Sequence, residues 1–278
     1  MFKHKLTGLL IYFYTLLNGI PPDNPDFVPV SKHYLVTRIG KMPIIESSGF
    51  AHANEKGLFW THADSGNKPW LYKIDMYGGL VDTLQLNFLK NIDWEDLAAD
   101  DEGYIYIGDF GNNANARKNL VIHKISQQGE YLGAIYFDYA DQSEFPPAKK
   151  QMNFDCEAFF WADGELHLFS KNRGDKCVKH YAIPDAPGYY TISPRSSIYL
   201  RAAITAADYH AESERFALFG YGKIYLFDFV GTEKIFEAPY GKVKFKRGGT
   251  AEALLYIDSN SLLLGNERGK LWQIMPKH

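Results

Sequence analysis

Through most of the chain, apolar and polar positions alternate with a period of two, in short runs broken by Gly, Asp and Asn turns. Between residues 96 and 140 the runs DLAAD, YIYIGDF, LVIHKIS and LGAIYFDYA follow one another, each the length of a strand. Nowhere after residue 30 does an apolar period of 3.6 persist long enough for a core helix, so the predicted class is all-β.

The pattern itself recurs. Units open at Ser48, Glu95, Glu157, Thr205 and Glu252, at intervals of 47, 62, 48 and 47 residues. A sustained period of about 40 to 50 residues made of short strands predicts a β-propeller, whose blades bury their faces only against one another. Four-stranded blades follow: WLYKIDM and LVDTLQL complete the first, VKHYAI and SSIYL the third, KIYLFDFV and EKIFEAP the fourth. The fifth (ALLYID, SLLLGN, KLWQIM) ends one strand short. HYLVTRI at 33–39 is a strand of the right kind to pair with KLWQIM and close a five-bladed ring without an open edge. The long interval is accounted for by DQSEFPPAKKQMN, a polar insert at 141–153 expected to form a loop over one face.

Residues 26–278 are therefore expected to form a single propeller domain. Before them, MFKHK and an uncharged apolar stretch to Ile20 read as a signal peptide within residues 1–25, which places the protein outside the cytoplasm, secreted or periplasmic. The alternative for that segment is an uncleaved membrane anchor. A net charge of -3 without any basic run excludes a nucleic acid polymer as partner, and a closed monomer is expected. Cys156 and Cys177 fall on the first and third strands of one blade, about 9 to 10 Å apart, beyond disulfide reach.

Meander topology brings the start of each first strand and the end of each second strand to one face. The inner set there is Ser48, Glu95, Glu157, Thr205 and Glu252, three carboxylates and two hydroxyls in a ring around the axis. Carboxylates confined in a narrow channel repel unless a cation neutralises them, and hard oxygen ligands with irregular geometry suit one axial Ca²⁺. A water-filled channel with the carboxylates paired to Lys or Arg is the alternative. The outer set comprises Asp64, Asp109, Asn112, Asn113, Arg117, Lys171, Asn172, Arg173, Asn266 and Arg268. Asn, Asp and Arg117 are candidates for an anionic, polyhydroxyl or glycan ligand, and they equally suit structural turns. No HExxH or GxSxG pattern supports zinc or serine-nucleophile chemistry.

With Glu95-Asp-Leu-Ala followed by Tyr106-Ile-Gly, Glu157-Ala with a downstream Asn172-Arg173, and the late Glu252, the chain resembles the five-bladed calcium-activated nucleotidases, or apyrases. That resemblance implies Ser48, Glu95, Glu157 and Glu252 as ligands of an axial Ca²⁺, with Thr205 where a Ser is expected. It also implies phosphoanhydride hydrolysis, with Glu157 as base and Lys171 and Arg173 neutralising developing charge. The string DWEDLAADDEGYIYIGDFGNN is similar to uncharacterised exported bacterial propellers, and these to calcium-dependent lactonase and esterase-like propellers. The rival readings are a non-catalytic glycan- or protein-binding propeller and such an esterase or lactonase.

Overall fold

The computed structural model describes residues 27–171, 173–200, 202–245 and 250–277. The signal-peptide segment and Asn172 lie outside the described residues. β1 (Tyr34–Lys41) does not belong to the first blade. Blade 1 is β2 (Ser47–His52), β3 (Leu58–Ala63), β4 (Trp70–Asp75) and β5 (Leu80–Gln85). Blade 2 is β6 (Trp94–Ala99), β7 (Ile105–Asp109), β8 (Leu120–Ile125) and β9 (Tyr131–Tyr139). β10 (Cys156–Ala162), β11 (Glu165–Ser170) and β12 (Cys177–Pro184) begin blade 3. β13 (Gly188–Ile192) leaves that blade, and β14 (Ser196–Tyr199) returns to complete it. Blade 4 is β15 (Ile204–His210), β16 (Arg215–Gly220), β17 (Lys223–Asp228) and β18 (Pro239–Lys244). Blade 5 is β19 (Ala251–Asp258), β20 (Ser261–Asn266) and β21 (Lys270–Pro276), with β1 as its fourth strand.

β1 pairs antiparallel with β21 from Tyr34↔Pro276 to Lys41↔Lys270, so the strand from before the first repeat closes the ring as expected. The first strands β2, β6, β10, β15 and β19 pack in chain order, and β19 packs back on β2. Core side chains fill the wedges between blades. Trp60, Trp94 and Leu97 sit between blades 1 and 2, Tyr106, Phe110, Phe159 and Tyr181 between 2 and 3, and Phe160, Phe216 and Phe227 between 3 and 4.

Two strands depart from the sequence reading. The outer strand of blade 4 is PYGKVK, because EKIFEAP begins as a 3-10 turn at Thr232–Lys234 and tucks Ile235 and Phe236 into the core. β13 pairs parallel with β9 and extends blade 2 to five strands. Its partner lies about 50 residues earlier, so no local pattern could assign it. The cysteines, on β10 and β12 with β11 between them, are both unpaired.

Candidate functional site

Every first strand carries a β-bulge at the ring position, where two residues oppose one on the neighbouring strand. The shift falls on Glu95, Glu157, Thr205 and Glu252 in blades 2 to 5, and just after Ser48 in blade 1. A bulge interrupts alternation and re-aims the side chain it carries, a device common at the rims of barrels and beside functional sites.

The ring residues are all buried, and they behave differently. Ser48 Oγ donates to the Glu95 carbonyl and Thr205 Oγ1 to the Ala251 carbonyl at 2.9 Å. Both hydroxyls thus stitch one blade to the next. Glu157 is clasped by Lys171 Nζ and by Arg173 Nη2 at 3.0 Å. The Glu95 carboxylate has no hydrogen-bond donor among the described residues, although Glu95 is only 6% exposed.

Three aspartates join this set. Oxygens of Glu95, Asp155 and Glu157, all buried, lie within 4.8 Å of one another, and so do those of Asp64, Asp93 and Glu95. Glu95 belongs to both groups. Asp93 and Asp155 each stand two residues before a ring glutamate, in Asp-Trp-Glu and Asp-Cys-Glu, and this repeated tripeptide is the sequence signal that could have found them. Asp155 accepts from Asn112 N at 2.8 Å and Arg173 Nε at 2.5 Å. Among the described residues no ion pair reaches Asp64, Asp93, Glu95 or Glu252.

Burial, then mutual repulsion, raises these acids. Glu95 is pushed well above the ordinary carboxyl range by burial and then by Glu157 and Asp155. Burial is likewise the leading cause that takes Glu157 to about 8, Glu252 to about 7 and Asp93 to about 6. Asp64 is raised in the same way. For Lys171, burial pulls the ammonium down, but the Glu157 charge outweighs it and holds it raised.

The outer set builds the rim. Asp109 takes N–H groups from Ile92 and Asp93, at 3.3 and 3.1 Å, and pairs with Arg117 Nη2 at 2.8 Å. Arg117 also donates to the Gly111 carbonyl at 2.7 Å, and Asn112 receives Arg117 N while its amide donates to the Phe154 carbonyl. The Asp109, Asn112 and Arg117 side chains therefore hold the loop that carries Gly111. A Cβ on Gly111 would come within 2.1 Å of Glu95 Oε1 and 2.4 Å of Asp93 Cγ, so glycine leaves those carboxylates their space. Asn113 is exposed and accepts from Arg173. Asn266 caps its turn by accepting from Arg268 N and Lys270 N, at 3.2 and 2.9 Å, and Arg268 is exposed. The insert is anchored by Gln142, which donates to Asn115 O at 2.8 Å, and by Asp141, which pairs with Lys179.

No family model matches the chain, and no curated protein does. Among solved structures, an aldose sugar dehydrogenase from Streptomyces coelicolor, in its PQQ-bound form, is similar with a TM-score of 0.52 and 10% identity, over 90% of this chain and 100% of that one. A gluconolactonase from Xanthomonas campestris gives 0.49 and 10%, over 93% and 96%. Virginiamycin B lyase from Staphylococcus aureus gives 0.43 and 14%; the match spans 83% of this chain and 66% of the lyase. At 10% identity the likeness to the dehydrogenase supports the propeller fold alone, and none of the three matches is an apyrase.

Proposed function

We propose that this protein is an exported, Ca²⁺-dependent propeller hydrolase acting on a small uncharged ester or lactone at the ring face. The observation that carries the reading is Glu95, a buried carboxylate shared by two acidic triplets and given no donor among the described residues. An all-oxygen donor set spread over 4.8 Å suits an ion with bonds of about 2.3 to 2.6 Å better than Mg²⁺, whose bonds of about 2.0 to 2.1 Å hold opposed ligands closer together. Glu95, Asp155 and Glu157, with Asp64 and Asp93 at the rim, are the residues that would hold it. When bound, Ca²⁺ supplies positive charge that neutralises these acids and polarises a carbonyl oxygen.

Charge supports the uncharged substrate over a phosphoanhydride. The basic side chains expected to cradle phosphate, Lys171 and Arg173, are committed to Glu157 and Asp155, which leaves Asp64, Asp93, Glu95 and Glu252 without an ion-pair partner among the described residues at the same face. An incoming polyanion would meet that excess negative charge. Asp93, half-buried at the rim, offers one carboxylate oxygen to the donor set and has the other for general-base work. It would take a proton from a water whose oxygen adds to the acyl carbon; the acyl C–O bond then breaks and the proton passes to the departing alkoxide.

The test is calorimetric titration of Ca²⁺ into the chelator-treated protein and its Glu95→Gln variant, followed by pH-stat assays on aliphatic δ- and γ-lactones, carboxyl esters, nucleotides and pyrophosphate. Ca²⁺ binding lost in Glu95→Gln, with Ca²⁺-dependent acid release from a lactone or ester, is the expected outcome. Turnover of nucleotides alone would restore the phosphoanhydride reading, and no turnover in a Ca²⁺-loaded sample would leave a non-catalytic binding propeller.

A further inference from the structure

Away from the ring, on the outer edge of blade 2, two tyrosines lie face to face. Tyr136 on β9 and Tyr189 on β13 are directly paired in the parallel ladder, their ring centroids 4.7 Å apart and their planes at 13°. Tyr189 is 85% exposed, the most exposed of the large hydrophobic side chains among the described residues. A ring presented to water at that level buries almost nothing, so core packing does not explain it.

The surroundings are polar and fixed. Residues two apart on a strand share a face, so Asp138, two after Tyr136, and Thr191, its partner two after Tyr189, stand beside the stacked rings, and both are exposed. Lys118 and Asn119 adjoin them at the start of β8, around an open cavity of about 470 Å³. That volume falls within the usual range of small-ligand sites. β13 is held in place by its five-residue ladder and by Pro187, which packs where a Cβ on Gly133 would come within 2.6 Å of it.

We infer that this edge is a carbohydrate-binding subsite for a neutral hexopyranose unit of an oligosaccharide. The exposed face of Tyr189 offers a flat, electron-rich surface for the weakly positive C–H face of a pyranose. A carboxylate, an amide, a hydroxyl and an ammonium beside it are complementary to ring hydroxyls, which both donate and accept. Three tryptophans are engaged elsewhere: Trp60 and Trp94 are buried, and Trp161 Nε1 donates to Asp185 at 2.7 Å. The subsite is separate from the acidic ring and does not depend on a metal.

Calorimetric titration of the whole protein with maltohexaose, cellohexaose and mannohexaose, with and without chelator, tests it. At least one should bind, unchanged by chelator and by Glu95→Gln, and weakened at least about tenfold in both Tyr189→Ala and Asp138→Ala. Tyr189→Trp should retain binding, which separates stacking from a general loss of structure; the exposure of Tyr189 predicts an unchanged melting temperature for Tyr189→Ala. Failure of all three sugars to bind, binding indifferent to Tyr189→Ala, or binding abolished by chelator would each overturn the inference.

Discussion

Blade 4 places a hydroxyl on, and blade 1 immediately before, the backbone bulge where blades 2, 3 and 5 place a carboxylate, and the two solutions do opposite things. Ser48 and Thr205 satisfy themselves on the next blade's backbone and close the ring mechanically. The Glu95 and Glu252 carboxylates find no donor among the described residues, and Glu157 needs two cations. A shared backbone shape therefore does not imply a shared role: where the side chain is neutral the bulge contributes to stability, and where it is charged the bulge creates a demand for a counter-charge. Blades 2 and 3 add Asp93 and Asp155 to that demand.

The largest effect expected on this contrast is at Glu157. Glu157→Ala leaves Lys171 buried without its partner, and breaking a buried pair typically costs about 3 to 5 kcal/mol. Urea unfolding should show that loss; a change as small as that of a surface pair would mean that Lys171 simply swings to solvent.

Next comes pH. Glu157 and Glu252 have folded values of about 8 and 7, above their ordinary 4.5, so their contribution is fully present below about 4.5 and is lost as pH rises through 7 to 8. Buried His167, bonded to His180 at 3.0 Å inside blade 3, runs the other way. Burial pulls it to about 4, so its contribution, at most about 3 kcal/mol, is present above 6.5 and is lost as pH falls toward 4. Thermal unfolding of chelator-treated protein should thus show maximal stability in the intervening range. Ca²⁺ should remove the alkaline loss and leave the acid limb, whereas loss of both limbs together would show that the two regions are not independent.

Ca²⁺ at a hundredfold excess over its Kd should stabilise the parent by about 2.7 kcal/mol and leave Glu95→Gln unchanged. An equal response in both would move the ion away from Glu95. Smallest are Ser48→Ala and Thr205→Ala, each expected to cost about 1 kcal/mol by leaving a buried carbonyl unpaired. Both variants should still bind Ca²⁺ if the hydroxyls serve the ring mechanically; lost binding would make them ligands as well.

What the sequence by itself determined is what repeats locally. The period of about 47 residues, the strand alternation and the missing last strand were enough for five blades and closure by β1, because each follows from patterns within one blade or from counting them. The ring positions were legible for the same reason. Only the tertiary structure decided which charges meet. Asp155, Lys171 and Arg173 close on Glu157, Asp109 and Arg117 lock the loop over Glu95, and β13 leaves its own blade to lie beside β9. These contacts join residues from different blades or distant loops. Their partners are chosen by geometry summed over the whole ring, and no periodicity within a strand encodes that choice.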